Sequence, residues 1–120
     1  LTQAAWALAT GNAVVVIAPE IEQALAESGQ LTQHPDMPLV AINGRLAASA
    51  LTQCEGFAAV ASNAPQALQT EYRQALAKRN GVLIPLINEV NQPERYQIER
   101  HLCIDTTAAG GNASLIAAAE

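Results

Sequence analysis

The stretch Gly11-Asn12-Ala13-Val14-Val15-Val16-Ile17-Ala18-Pro19 decides the fold. From Ala13 to Ile17 it is apolar at every position and rich in β-branched side chains, so both alternating faces are apolar. That is the pattern of a central strand covered on both sides rather than of a half-exposed one. Pro19 ends the strand. Gly11-Asn12 supplies the stop that a helix C-terminus prefers, and ahead of it Leu1, Ala5, Leu8 and Ala9 recur at helical spacing.

Working outward, Glu20 to Ser28 places Ile21, Ala24, Leu25 and Ser28 on one helical face, with Gly29 as its stop. Beyond the polar loop from Gln30 to Pro38, Leu39-Val40-Ala41-Ile42 reads as a second strand closed by Asn43-Gly44, and Leu46 to Leu51 as a short helix. Phe57 to Ala61 is a third apolar run of strand length. Pro65 then opens a helix in which Leu68, Tyr72, Ala75, Leu76 and Arg79 share a face, Lys78 and Arg79 suit its C-terminal dipole, and Asn80-Gly81 stops it. Val82-Leu83-Ile84 before Pro85 makes the fourth strand. Strands alternating with helices predict an α/β fold of three layers around a mainly parallel sheet of about four strands. This domain is expected over 1–93. From Glu94 to Asp105 the pattern alternates, with Tyr96, Ile98, Leu102 and Ile104 inward, and predicts an extended arm over 94–105. The remainder, 106–120, has the Ala, Gly, Thr and Ser composition of a tail.

Half of the 120 residues are hydrophobic and 14% are charged, against about 25% in an average domain, which excludes a disordered chain. With 25 alanines and four aromatic residues, the core is expected to be one of small, closely packed side chains. The net charge of −5 and six scattered basic residues argue against direct contact with nucleic acid or an anionic membrane. Apolar runs such as Ala13 to Ala18 are far short of the about 18 residues that a transmembrane helix requires, and no basic segment precedes an apolar one at the start; a cytoplasmic location is expected. Leu1 is not a start methionine and already lies in a helical pattern, so the chain is expected to be part of a longer one.

Cys54, Cys103, His34 and His101 form neither a CxxC nor an HxxxH pair, and no metal site is expected. Cys54 reads as a small core residue and His34 as a loop residue. A thiolate at Cys54 is opposed by the adjoining Glu55 charge. Dinucleotide-binding folds need glycine in a strand-to-helix turn so that the backbone can approach a pyrophosphate. The corresponding turns, Ala18-Pro19-Glu20 and Ser62-Asn63-Ala64-Pro65, contain none, and Glu20 at a helix start would repel phosphate. Gly110-Gly111 reads as a hinge in preference to an anion-binding nest.

Thr106-Thr107-Ala108-Ala109-Gly110-Gly111-Asn112-Ala113-Ser114-Leu115 closely resembles the terminal motif of the long forms of proline utilization A. These are bifunctional enzymes that join an FAD-dependent proline dehydrogenase to an NAD-dependent L-glutamate-γ-semialdehyde dehydrogenase. Gly11-Asn12-Ala13-Val14-Val15 is similar to the GN-x-VV strand of the aldehyde dehydrogenase superfamily. Gly81 to Ile87, followed by Tyr96, Glu99 and Arg100, resembles the segment that leads into the terminal motif.

The resemblance implies a Rossmann-like C-terminal domain that holds neither cofactor itself, the FAD and NAD belonging to the parent chain. Its implied partner is the aldehyde dehydrogenase domain of the same parent, whose site and intermediate channel it covers, with Thr106 to Leu115 as the lid motif and the 94–105 arm as a flap. The parent is cytoplasmic or peripheral at the inner membrane by the same resemblance. Departures from the catalytic members fit an inactive domain. Ile17 and Ala18 stand where those members have a ribose-binding lysine, Ala61-Ser62-Asn63-Ala64 replaces their glycine-containing phosphate turn, and Thr52-Gln53-Cys54 imitates the GQ-x-C nucleophile setting only superficially. Ile116 to Glu120 runs beyond the motif. Two other readings are a small Rossmann-like nucleotide-binding or oxidoreductase domain with its own pocket, and a homo-oligomer assembled through an exposed strand edge.

Overall fold

The computed structural model describes residues 1–29 and 36–98. Its elements run α1 (Thr2–Ala9), β1 (Val14–Ala18), α2 (Ile21–Ser28), β2 (Leu39–Asn43), α3 (Ala48–Gln53), β3 (Val60–Ala61), α4 (Gln66–Ala77), β4 (Leu86–Ile87) and a 3₁₀ turn at Pro93–Tyr96. The fold is α/β, and among the described residues both strand pairs are parallel. Instead of one sheet of four strands, however, these residues form two sheets of two strands, β1 with β2 and β3 with β4. In each, a helix connects the paired strands, α2 in the first and α4 in the second, because parallel neighbours need a crossover.

The shortness of the second sheet has a stereochemical cause. Val60 pairs with Leu86 and Ala61 with Ile87, with the Val60 N–H donating to the Pro85 carbonyl at 3.0 Å and Ser62 N–H to Ile87 at 2.9 Å. In a parallel ladder the next rung upstream would require an amide proton from residue 85, and proline has none. The predicted strand Val82–Ile84 therefore does not form: the chain pairs only after Pro85, and Val82 and Leu83 stand 89% and 87% exposed. The partner run Phe57–Ala61 is strand only at its last two residues.

The first sheet also departs from expectation. Val14 pairs with Leu39 and the register continues to Ala18 with Asn43, so Val15, Ile17, Val40 and Ile42 project from one face. That face is not covered by the described residues: Val15 is 60%, Val40 56% and Ile42 45% exposed. Contacts from α2 to both strands and from α1 to β1 leave Val14, Val16, Leu39 and Ala41 half-buried. The central strand expected over Ala13–Ile17 is thus covered on one side only by the described residues.

The main core lies around α4. Leu51 of α3 is buried with Tyr72, Ala75 and Leu76 of α4, and Leu46, Phe57, Val60 and Leu86 pack around them. Three of the five residues expected on the α4 face are buried, Leu68 is partly so, and Gln69 joins them. The Tyr72 hydroxyl donates to the Leu46 carbonyl at 2.9 Å. Arg79 donates to the carbonyls of Leu51 and Cys54 at the end of α3, while its guanidinium lies 4.8 Å from the centre of the Phe57 ring. It thus closes the last turn of α3 as well as extending the apolar face of α4.

Other expectations change. In α1 the inward residue is Ala4, whereas Leu1, Ala5 and Ala9 are exposed, because the helix turns its Gln3 and Trp6 side toward the sheet and the 3₁₀ turn. Gln3 Nε2 reaches the Ile87 carbonyl at 3.4 Å, and Asn12 Nδ2 donates to the Tyr96 carbonyl at 2.9 Å. Cys54 is exposed, not in the core, since it falls just past α3 on the solvent side of the Arg79 clamp. The expected arm begins as the 3₁₀ turn: Tyr96 is buried as expected but Ile98 is 73% exposed. Leu102 and Ile104 lie outside the described residues. No helix among the described residues is long and apolar enough to cross a membrane.

These placements separate positions that hydropathy alone treats alike. Leu76→Ala is expected to lower unfolding free energy by about 2–4 kcal/mol through lost burial and a cavity, whereas Val40→Thr on the bare face costs under about 0.5 kcal/mol; urea titrations of the two variants measure the difference. A pH dependence follows from the two buried tyrosines. Burial, then the Glu71 charge, pushes Tyr72 upward. Burial also raises Tyr96, with the Gln3 hydrogen bond opposing and Glu89 adding to it. An unfolded-chain tyrosine ionises near about 10, so this stabilisation is complete below that pH and is lost as pH rises through the higher folded-state values. A double Tyr72→Phe, Tyr96→Phe variant should show a smaller fall of the urea midpoint between about pH 8 and 11 than the parent chain.

Candidate functional site

In open α/β sheets, ligands bind outside the carboxyl ends of the strands, where each strand turns into its helix. Here that edge is formed by the Pro19-Glu20 turn between β1 and α2, Asn43 at the end of β2, the 62–65 turn between β3 and α4, and Asn88-Glu89 after β4.

The first turn is closed by the chain itself. Glu20 has φ 56° and ψ 22°, a left-handed conformation that favours glycine, and it is the only residue other than glycine with positive φ among those described. Its carbonyl accepts the Ala24 N–H at 3.0 Å and so starts α2. Directly over that start, Asn43 Oδ1 accepts the Glu22 backbone N–H at 3.1 Å, and Asn43 Nδ2 donates to Glu22 Oε2 at 2.9 Å. The clasp has the reciprocity of a capping box, except that its cap comes from the neighbouring strand. Asn43 thereby occupies a backbone donor that a phosphate would use, and Glu22 adds a negative charge at the same place.

The second turn is braced from within. Ser62 Oγ accepts the Ala64 N–H at 3.2 Å, and Pro65 has no N–H to offer. Gln69, 8% exposed, sends its Nε2 back to the Ala64 carbonyl at 2.8 Å and toward that of Ser62 at 3.5 Å. Its Oε1 is buried without a partner among the described residues. The first-turn amides of α4 have no side-chain cap, a condition common to helix starts that defines no binding site.

At the end of β4, Glu89 accepts the Asn88 N–H at 3.2 Å and stands 3.8 Å from Arg95 Nε. Glu20 and Glu22 give the carboxyl edge of the first strand pair an acidic character, whereas Glu89 at the second is paired with Arg95. Neither turn has the glycine-lined backbone cradle of a dinucleotide site, and the charge at the first is of the wrong sign for a pyrophosphate. An apolar groove of about 510 Å³ opens on another side, with Phe57, Val82, Leu83, Pro85 and Ile98 in its walls.

Of the residues singled out from sequence, Glu20 sits at the helix start as expected, and Ile17, Ala18 and Ala61 to Ala64 line the two turns. Thr52-Gln53-Cys54 ends α3 on the surface, away from both turns in the chain's topology. The candidate lid residues Thr106, Thr107, Ala108, Ala109, Gly110, Gly111, Asn112, Ala113, Ser114 and Leu115 lie outside the described residues, as do His34, His101 and Cys103. Sequence reading missed Asn43, Glu22 and Gln69. Asn43 read only as a strand stop, although an asparagine at a strand end beside a helix that starts without Ser, Thr, Asp or Asn was the available signal. Comparison with protein-family models, with curated proteins and with solved structures returned no match to this chain.

Asn43→Ala removes both halves of the clasp and leaves the first turn of α2 uncapped. The expected cost is about 1 kcal/mol of unfolding free energy, read from a urea titration followed by far-ultraviolet circular dichroism. Asn43→Asp, which keeps the acceptor but faces the Glu22 carboxylate, should recover little of it at neutral pH and more under acid conditions.

Proposed function

We propose that this chain is a noncatalytic, Rossmann-like domain of a long-form proline utilization A protein, and that it covers the aldehyde dehydrogenase site of its parent. The observation that carries the noncatalytic part is the clasp at the β1–α2 turn: the position where a dinucleotide-binding fold receives phosphate holds Glu20 in a left-handed conformation, under the Asn43–Glu22 hydrogen bonds. The family and the parent activity rest on the resemblance of Thr106 to Leu115. In the parent, FAD-dependent oxidation of proline gives pyrroline-5-carboxylate, whose hydrolysed form, the semialdehyde, is oxidised to glutamate with NAD.

A cover in such an enzyme excludes bulk water and retains a reactive intermediate between the two sites. The small residues Ala108, Ala109, Gly110 and Gly111 let the terminal backbone lie close to a neighbouring surface, and Thr106, Thr107, Asn112 and Ser114 supply hydrogen-bonding groups for it. The face of β1 and β2 that the described residues leave exposed favours a domain built to lie against another body, which serves equally a role in assembly.

Two measurements test this. Titration of NAD and of AMP against the domain, followed by calorimetry, is expected to give no saturable heat; saturable binding would return the domain to the class with a pocket of its own. In the parent, stopped-flow recording of NADH formation from proline is expected to show a lag after truncation beyond Asp105, with each half-reaction near its intact rate. Absence of a lag, with the aldehyde step unimpaired, would remove the covering role and leave assembly.

A further inference from the structure

We draw no further inference here: the strongest candidate, the aliphatic face of the β1–β2 pair formed by Val15, Ile17, Val40 and Ile42, carries nothing beyond the docking already proposed, because nothing in the structure shows what covers it.

Discussion

The contact between α3 and α4 holds this structure together. Leu51 meets Tyr72, Ala75 and Leu76 in the main cluster of buried residues, and Arg79 ties the end of α3 to the end of α4 through two carbonyls and the Phe57 ring. A two-residue strand pair such as β3 with β4 has too little ladder to stand alone. It persists because the residues before it and within it, Phe57, Val60, Ile84 and Leu86, pack on that helical cluster. Ile87, 1% exposed, then carries the packing across to α1, whose Gln3 reaches its carbonyl. The helices therefore order the second sheet, and not the reverse.

No comparable cluster among the described residues backs the first sheet. Its helices present Ile21, Leu25 and Ala4 as their buried residues, three side chains against ten strand positions. An alanine-rich helix covers little area, and dispersion and burial scale with the atoms brought together. The bare face is the geometric remainder of that composition. Complete burial of a Val or Ile side chain is worth about 1.5–3 kcal/mol, so Val15, Val40 and Ile42, each roughly half exposed, draw only part of that stabilisation from the described residues. This is the physical link between a small-residue sequence and the docking role proposed for the domain.

Elements with strong periodicity were legible from sequence. Leu39 to Ile42 begins and ends within a residue of β2, Glu20 to Ser28 matches α2 apart from its first residue, and the Tyr72, Ala75 and Leu76 face of α4 is buried. What the pattern did not contain is which apolar runs find partners. Val82-Leu83-Ile84 and Leu86-Ile87 are both apolar throughout, and the missing amide proton of Pro85 separates the run that stays out of the ladder from the one that pairs. The same limit applies to Ala13 to Ile17, where an apolar pattern on both faces was legible but the supply of covering side chains was not. At the candidate site, the absence of glycine from the turns was visible in the sequence. The Asn43–Glu22 hydrogen bonds over the first turn were not, because Glu22 and Asn43 are 21 residues apart and meet only through the strand register.

The missing glycine and the clasp express one constraint. A phosphate cradle needs backbone donors free to converge on an anion and a chain that can turn without side chains in the way. At the β1–α2 turn, glycine's left-handed conformation is kept but is imposed on Glu20, so the turn carries a carboxylate side chain where glycine would carry none. One of the donors at the start of α2 already faces Asn43. An incoming phosphate would have to break two hydrogen bonds, each worth about 0.5–1.5 kcal/mol net, and approach Glu20 and Glu22 with no basic side chain to offset their charge among the residues of that turn. Substituting glycine at position 20 alone would restore the backbone freedom without freeing the donor, and removing Asn43 alone would free the donor without removing the charge. Backbone conformation, donor and charge at this turn thus reinforce one another, and each opposes an anion in the way the proposed noncatalytic role requires.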